Sequence, residues 1–262
     1  MQSAPCCTRA TYMNHVYKYL PPDRVTYLDD ELLRYTQPAA LNDPFECLPV
    51  ITHRQAIDVF KSDLGSHEEN LLLAEKRQII EGIEGNPVVV HNYLQKNIGE
   101  RFNLDIGIFS VSSRWNSVLM WSHYAASHAG FCVGFLRTAP VFMSLQNESL
   151  LRPVSYSSER ASLSTKSSQS IDEEVLYTKS IDWSYEKEER AIGRLKSENL
   201  HPTIPDCYLS KVPHDAIGEL IVGVNTGSEL KAKVVSLARR LGCPVYRTII
   251  SERTFDVERE IL

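Results

Sequence analysis

One stretch of the sequence, Ser113–Phe135, constrains the fold most, because it places a helix signal directly before a buried-strand signal. The stretch reads SRWNSVLMWSHYAASHAGFCVGF. Asn116 and Ser117 are residue types that cap helix N-termini, and Gly130 is typical of the position just past a helix end. The closing run FCVGF is continuously apolar, which indicates a strand buried on both faces. The sequence therefore predicts a helix to about Ser127 that leads into a core strand.

The predicted helix carries aromatic and hydrogen-bonding side chains on more than one face. Trp121, Tyr124 and Ala125 are spaced by three and four positions, so they share one face, while Leu119 and His123 share another. Side chains of this kind are typical both of a protein core and of one wall of a ligand pocket. Trp121, His123 and Tyr124 are therefore candidate binding residues, with a core role as the alternative.

The overall composition excludes several broad classes of function. The chain has 262 residues and a net charge of -5, so no general electrostatic attraction to nucleic acid or to anionic membranes is expected. No apolar run approaches the roughly 20 residues that a membrane span needs. The N-terminus lacks the apolar core of a secretory signal, and the six cysteines have no metal-type spacing. We expect a cytoplasmic protein without a membrane partner.

Short strand patterns alternate with helical patterns along the whole chain. This mixed order predicts an α+β fold, a single domain over residues 1–262 built on a mixed sheet. Residues 54–100 have helical periodicity, which predicts a helical insertion. Residues 157–170 are rich in serine and have little apolar content, which predicts a mobile surface loop.

Three further elements follow from local patterns. Asp23 is predicted to cap a helix that runs to about Leu33. Ser228 is predicted to cap an amphipathic helix that ends at Leu241. The segment CPVYRTIISE after it is predicted to be the last strand.

The sharpest polar cluster is the segment WSYEKEER, residues 183–190. If the segment is extended, Glu186, Glu188 and Arg190 lie on one face. Two carboxylates about 7 Å apart can bind a pair of ribose hydroxyls or stabilise a cationic sugar carbon. Glu188 is the preferred catalytic candidate and Glu186 the residue that orients the ribose. A solvated charged segment with a helical ion pair is the alternative.

A second polar motif, LNDPFE, contains a turn signature. Asn42 and Asp43 precede a proline, and their side chains can close turns on the local backbone. Asp43 and Glu46 could instead be presented to a ligand from this rigid turn. In the purely structural alternative, Phe45 fills the core.

The sequence gives little support for a metal site or for a phosphate-binding loop. His123 and His128 are five positions apart, whereas a zinc pair on a helix is spaced by four. No Gly-rich phosphate-binding motif occurs. The turn VNTG before the last helix allows either an anion site or a simple capped turn. We expect no metal cofactor.

The motifs KYLPP, RYTQP, LNDPFE, LMWSHYAASHAGFCVGF and WSYEKEER occur in this order. Together they resemble the bacterial family called domain of unknown function 2971, over roughly residues 16–225. The resemblance implies a cytoplasmic protein of a kind found near defence or mobile elements, and it implies no particular activity. The sequence departs from the family pattern at Glu189, where an aromatic residue is expected before the arginine.

A second resemblance is architectural and concerns ADP-ribosyltransferases. Those enzymes place a basic or histidine group, a serine or tyrosine, and a glutamate on three strands around NAD. The resemblance implies that three positions around NAD are occupied by Lys18 or Tyr19, then by Tyr35 or Thr36, and then by Glu186 or Glu188. NAD would be the substrate rather than a bound cofactor.

Two hypotheses of different classes follow. The first is a transferase that cleaves a glycosidic bond of NAD or another nucleotide and acts on a protein or nucleic-acid acceptor, as a defence or toxin effector. The second is a non-enzymatic module that senses or binds a nucleotide. Under the first, a carboxylate of WSYEKEER faces a deep cleft. Under the second, these carboxylates lie on an open surface or are paired by arginines.

Overall fold

In a computed structural model the chain divides into two compact units. The structure describes residues 14–52, 54–55, 99–100, 102–162, 173–196, 200–201 and 206–262, and also the single residues 81, 88, 92, 96, 198 and 204. Most of the predicted helical insertion at 54–100 lies outside the described residues. So does most of the predicted loop at 157–170. Both features, and the single-domain organisation, stay predictions.

The first unit contains the main sheet and the second is smaller. The first consists of Met1–Thr36, Gly107–Val154 and Asp182–Leu262, and the second of Gln37–Ile106 and Ser155–Ile181. The strands are β1 (His15–Leu20), β2 (Leu32–Tyr35), β3 (Ile106–Ser112), β4 (Phe131–Leu136), β5 (Arg152–Pro153), β6 (Ser155–Ser157), β7 (Thr178–Ser180), β8 (Glu188–Arg194), β9 (Tyr208–Lys211), β10 (Ile217–Val222), β11 (Val245–Ile250) and β12 (Val257–Ile261). The α-helices are α1 (Tyr27–Asp30), α2 (Val118–Tyr124), α3 (Glu173–Leu176) and α4 (Ser228–Leu241).

Eight strands form one mixed sheet in the order β12-β11-β10-β4-β1-β3-β8-β5. β1 runs antiparallel to both of its neighbours, so Tyr17 pairs with Ser112 of β3 and with Gly134 of β4. β10 and β11 are parallel because the long helix α4 connects them. The predicted α+β class is therefore confirmed, and the FCVGF segment is a central buried strand as expected.

The alternation of side chains along the central strands gives the sheet two different faces. On one, the apolar face, Val16, Val133 and Leu220 join a large cluster that includes the inward side of α4. On the other, the aromatic face, Tyr17 and Cys132 lie with tryptophan and tyrosine side chains from α2 and its flanks. Burial of the apolar face provides the larger hydrophobic contribution to folding.

The connection between α2 and β4 is tightly constrained. Residues 126–128 all have positive φ, with values of 48°, 53° and 66°. The backbone N–H of Asn225 donates to the His128 carbonyl at 3.0 Å. The Thr226 hydroxyl donates to the Gly130 carbonyl at 2.7 Å. The VNTG turn therefore holds this loop, which is a structural role.

Glycine is required at the start of β4. A Cβ atom at Gly130 would lie 2.1 Å from the carbonyl oxygen of Leu20, far inside van der Waals contact. The helix ends at Tyr124 rather than at about Ser127, and Ala125 is its C-cap, so the prediction that Gly130 lies just past the helix end was wrong. The close approach of β1 is the reason for glycine at this position.

Other local predictions of element boundaries and caps were also wrong. The helix expected from Asp23 to Leu33 ends at Asp30, because Glu31 adopts a left-handed conformation and the chain continues as β2. Gly227, rather than Ser228, is the N-cap of α4. β12 follows the segment predicted to be the last strand.

Among the described residues, no helix is both long enough and apolar enough to cross a membrane.

Candidate ligand-binding site

The base of the site is the buried side of α2 on the aromatic face. Ser117, one of the two residues predicted as the cap, begins the helix by accepting a hydrogen bond from the Met120 N–H. Trp121 is fully buried, and its indole N–H donates to the Trp115 carbonyl at 2.7 Å. Tyr19 meets Trp121 edge to face at 5.2 Å. Tyr19 and Trp121, both predicted to bind ligand, therefore lie in the core beneath the site.

Half-exposed rings cover the outer side of this core and belong to α2 and to the segment before β8. His123 Nδ1 lies 2.9 Å from the hydroxyl of Tyr185, and the two rings are 5.8 Å apart between centroids. The ring centroid of Tyr124 is 6.3 Å from that of His123. The ring centroid of Trp183 is 6.0 Å from that of Tyr185. We call these four rings, together with Glu186, the aromatic surface.

Glu186 is the acidic member of the aromatic surface. Its carboxylate accepts a hydrogen bond from the hydroxyl of Tyr124, and Glu186 as a whole is only 3% exposed to solvent. Its carbonyl oxygen accepts a hydrogen bond from the Ser112 hydroxyl, which fixes the backbone at this point. A buried carboxylate is costly unless it is hydrogen-bonded, and the contact with Tyr124 meets that requirement.

Glu186 and Glu188 do not belong to one extended segment. Glu186 ends a short 3-10 helix, Lys187 has a φ of 46°, and β8 begins at Glu188. Glu188 and Arg190 do lie on one face of β8, as predicted. Arg190 is fully buried and donates from Nε and Nη2 to the two carboxylate oxygens of Glu188, at 2.8 and 2.9 Å. Both oxygens of Glu188 are therefore engaged by a neighbouring charge in the interior.

Glu189 projects from the opposite face of β8 and also has an arginine partner. Arg137 forms a two-point contact with its carboxylate. This contact with Glu189 raises the pKa of Arg137 above its ordinary value. The departure from the family pattern at Glu189 therefore has a structural role in this chain.

Lys18 and Tyr35 lie on the apolar face of the sheet. Lys18 Nζ donates to the Ser110 carbonyl at 2.7 Å and lies 5.0 Å from the Phe109 ring. Burial lowers the pKa of Lys18 to about 8, although the charges of Glu188 and Glu186 oppose this change. Tyr35 stacks on the same Phe109 ring at 5.5 Å, and burial raises the pKa of its hydroxyl.

The structure thus brings together only some of the predicted site residues of the first unit. His123, Tyr124 and Glu186 lie on the aromatic surface. Glu188 and Arg190 form an internal pair, and Lys18 and Tyr35 occupy the other face. Sequence reasoning gave no binding role to Trp183 and Tyr185, although both lie in the WSYEKEER motif. The available signal was two aromatic rings directly before a carboxylate.

Asn42 and Asp43 belong to the second unit. The Asp43 carboxylate accepts a hydrogen bond from the Phe45 N–H at 2.9 Å, which closes the turn as the sequence predicted. Phe45 is 63% exposed, so the expectation that it fills the core was wrong. A cavity of about 290 Å³ lies against this turn and is lined by Asp43, Phe45, Glu46, Cys47, Leu48, Ser157, Ser158, Glu159, Arg160, Ala161, Val175, Thr178, Lys179 and Ser180.

Within the part of the chain that the structure describes, no group of three or more His, Cys, Asp or Glu side chains could hold a metal ion. The absence of a metal cofactor stays a prediction, as does the identity of any ligand.

Comparison with known proteins relates the chain to a family rather than to an activity. The chain matches none of the curated proteins and none of the solved structures with which it was compared. Residues 120–191 match the family described as protein of unknown function (DUF2971), a segment that contains most of α2, all of β4 and the start of β8. The family resemblance indicated by the sequence motifs is therefore confirmed over residues 120–191, and its extension over roughly residues 16–225 stays a prediction.

Proposed function

We propose that the chain binds a nucleotide on the aromatic surface of its first unit. One observation carries this proposal: half-exposed rings cluster around a buried carboxylate that is already hydrogen-bonded. Rings offer faces against which a base can stack, and oxygen acceptors suit ribose hydroxyls. This is the binding-module hypothesis of the two that the sequence raised.

The ring geometry supports base stacking. Trp183, Tyr185 and His123 follow one another with centroid separations of 6.0 and 5.8 Å. These distances lie within the range of aromatic pairs that stabilise one another. All three residues are at least partly exposed, so a base can reach the rings. Stacking of a base on such a ring is worth about 1–3 kcal/mol and depends little on the identity of the base.

The polar contacts support ribose binding beside the rings. The Tyr124 hydroxyl donates its hydrogen to Glu186, so the lone pairs of its oxygen are directed to other donors. A ribose hydroxyl can then donate to Tyr124. Glu186 acts as a positioning residue for Tyr124 in this arrangement. Because nucleotides are metabolites of the cell interior, the proposal also places the protein in the cytoplasm.

The test is calorimetric titration of the purified chain with NAD, ADP-ribose, ATP and GTP. We expect at least one to bind with a dissociation constant on the order of micromolar. Trp183→Ala should weaken binding about tenfold or more, since one stacking contact is lost. Phe255→Ala is the matched control, because this ring is fully exposed in the loop before β12 and should not affect binding. Failure of all four nucleotides to bind would contradict the proposal.

Cleavage of the nicotinamide–ribose bond of NAD is a second candidate function. The observation that favours it is the position of the Glu186 carboxylate beside rings that would hold the ligand. In this reaction nicotinamide leaves with the electron pair of the C–N bond, and water or an acceptor nucleophile forms the new bond to the ribose carbon. An ionised carboxylate stabilises the ribose cation between these events. A protein or nucleic-acid acceptor would make the chain a defence or toxin effector.

The two carboxylates named from the sequence are distinguished by their partners. Glu188 has both oxygens bound by Arg190, whereas Glu186 contacts a ring hydroxyl of the aromatic surface. We therefore favour Glu186 over Glu188 as the group that would face a ribose.

Nicotinamide release from NAD, with and without protein and nucleic-acid acceptors, tests this second candidate. If the chain cleaves NAD, Glu186→Gln should lower turnover on the order of a hundredfold, as expected for the loss of an electrostatic stabiliser. Glu188→Gln should act mainly on stability, because it removes the charge that partners a buried arginine. Absence of release by the wild type under every condition would eliminate cleavage and leave binding as the function.

A further inference from the structure

Two exposed cations lie at one margin of the aromatic surface. Arg114 lies between β3 and α2, and Lys187 follows Glu186 directly in the chain. Both cationic residues are exposed to solvent. Among the residues that the structure describes, neither the guanidinium of Arg114 nor the ammonium of Lys187 has an ion-pair or hydrogen-bond partner. Both charges are therefore available to a ligand.

Backbone hydrogen bonds hold these two positions side by side. The N–H of Ser113 donates to the carbonyl oxygen of Lys187 at 3.0 Å. The Ser112 hydroxyl donates to the Glu186 carbonyl and accepts a hydrogen bond from the Arg114 N–H at 3.1 Å. The segment after β3 is thereby fixed to the segment before β8. Both cationic side chains start from ordered backbone next to Glu186, the acidic member of the aromatic surface.

Lys187 has a backbone conformation that does not favour lysine. Its φ is 46°, in the left-handed region that glycine adopts freely and that crowds the Cβ atom of other residues. A glycine would make the same connection from Glu186 to β8 with less strain. Strained residues concentrate at binding sites, where the side chain has a use. A binding role of the ammonium group explains the lysine better than the turn does.

The nearby carboxylates do not neutralise the two cations. Both oxygens of Glu188 accept hydrogen bonds from Arg190, and the carboxylate of Glu189 is held by Arg137. The carboxylate of Glu186 accepts a hydrogen bond from a ring hydroxyl. This margin therefore presents two like charges, which repel each other, and an anion bound between them would remove that repulsion.

We propose that Arg114 and Lys187 form a phosphate subsite of the aromatic surface, so that its ligand is a phosphorylated nucleotide rather than a nucleoside. This inference rests on the proposed nucleotide binding and narrows the class of ligand. The base stacks on the rings, the ribose contacts Tyr124, and the phosphate attached to the ribose approaches the two cations. A guanidinium can donate to two phosphate oxygens at once, and an ammonium adds a compact charge.

The experiment is calorimetric titration of the full chain with adenosine, AMP, ADP and ATP, and with the corresponding guanosine series. In the series that binds, the monophosphate should bind about tenfold or more tightly than the nucleoside, because it gains charge-assisted hydrogen bonds. The first phosphate should give the largest gain, since it is attached to the ribose. Raising NaCl from about 50 mM to about 500 mM should weaken binding of the monophosphate and leave that of the nucleoside unchanged.

Variants at Arg114 locate the phosphate. Arg114→Gln removes the charge of an exposed side chain and should weaken monophosphate binding about tenfold, with nucleoside binding unchanged. Arg253→Gln is the matched control, because Arg253 is an exposed arginine in the loop before β12, and it should affect neither ligand. An effect on the monophosphate alone separates a phosphate contact from a general structural role.

Variants at Lys187 separate its charge from its backbone conformation. Lys187→Gly suits the left-handed backbone, so the melting temperature should not fall, yet monophosphate binding should weaken about tenfold. Lys187→Arg keeps the charge and should keep most of the affinity. A purely structural role of Lys187 predicts the opposite for Lys187→Gly, namely unchanged binding.

The outcomes distinguish failure of this subsite from failure of nucleotide binding itself. Equal affinity for the nucleoside and its monophosphate would overturn the subsite and leave binding by the rings in place. Unchanged monophosphate affinity in either Arg114→Gln or Lys187→Gly would also overturn it. If no nucleoside and no nucleotide binds, NAD and ADP-ribose included, the proposed function fails and the subsite fails with it.

Discussion

The two faces of the eight-stranded sheet use the same strands for different purposes. On the apolar face, Phe109, Phe135 and Phe142 pack together with ring centroids 5.7–6.4 Å apart. On the aromatic face, polar groups of the buried side chains form hydrogen bonds. The Tyr17 hydroxyl donates to the Glu219 carboxylate at 3.0 Å, and the Arg259 guanidinium donates to the same carboxylate at 2.6 Å. One face is mainly a packed hydrophobic core, with Lys18 as a buried polar side chain in it, and the other carries several polar contacts between side chains.

This difference explains why the candidate site lies where it does. Phenylalanine and aliphatic side chains pack densely and leave no group to recognise a ligand. Tyrosine and tryptophan bury apolar area and still present a polar atom. The guanidinium of Arg259 lies over the rings of Trp115 and Tyr246, at 4.6 and 4.1 Å from their centroids, so even the interior of the aromatic face is polar. The outer end of that face is the aromatic surface.

The largest effect is expected on the apolar face. Phe135→Ala should lower the free energy of unfolding by about 3–5 kcal/mol, because it removes a fully buried ring and leaves a cavity. Urea denaturation followed by circular dichroism measures this loss. A loss below about 1 kcal/mol would show that the phenylalanine cluster is not the main core.

A smaller effect is expected from the buried hydrogen bond of the aromatic face. Tyr17→Phe removes the hydroxyl that donates to Glu219 and should cost about 1–3 kcal/mol. Burial and the charge of Glu219 raise the pKa of Tyr17, so the hydroxyl stays protonated over the usable pH range. The cost should therefore be the same at pH 6 and pH 9. A pH-dependent cost would contradict this assignment.

Lys18 on the apolar face should make the free energy of unfolding of the protein depend on pH. Its pKa is lowered from 10.5 to about 8 in the folded chain, so between these values the unfolded state binds the proton and the folded state does not. Its contribution to the free energy of unfolding is therefore least favourable below pH 8 and rises as the pH increases toward 10.5. Lys18→Met should remove this rise. Parallel pH profiles of the two proteins would contradict the prediction.

The smallest effect on stability is expected at the aromatic surface itself. Tyr185→Phe removes the contact between its hydroxyl and His123, and both residues are at least partly exposed. The change in the free energy of unfolding should be about 0.5 kcal/mol or less, as for most surface substitutions. Thermal denaturation measures it. A loss as large as that of Tyr17→Phe would mean that the surface is part of the core.

Local patterns predicted the centre of the fold because its elements follow from nearby residues. The Ser117 cap, the helix after it and the buried strand Phe131–Leu136 are all encoded within a few positions. β12 was not predicted, since three charged residues separate its two apolar ends, Val257 and Ile261. Its position depends on pairing with β11, which a single segment does not reveal.

The candidate site was predicted only in part, for a similar reason. Two-residue periodicity correctly placed Glu188 and Arg190 on one side of a strand. It failed at Glu186, because the left-handed Lys187 interrupts the extended segment. The contact between Tyr124 and Glu186 joins positions 62 residues apart and follows from the packing of α2 against the sheet. Such contacts depend on tertiary structure rather than on local sequence.

Hydrogen–deuterium exchange of the full chain, with and without a saturating concentration of the nucleotide that binds most tightly in the titrations, tests the central claim most directly, because it locates binding on one face of the sheet. The account predicts slower exchange in residues 118–124 and 181–186, which carry the aromatic surface, and no change in α4, residues 228–241, on the apolar face. Protection confined to α4, or no protection anywhere in the first unit, would contradict the account.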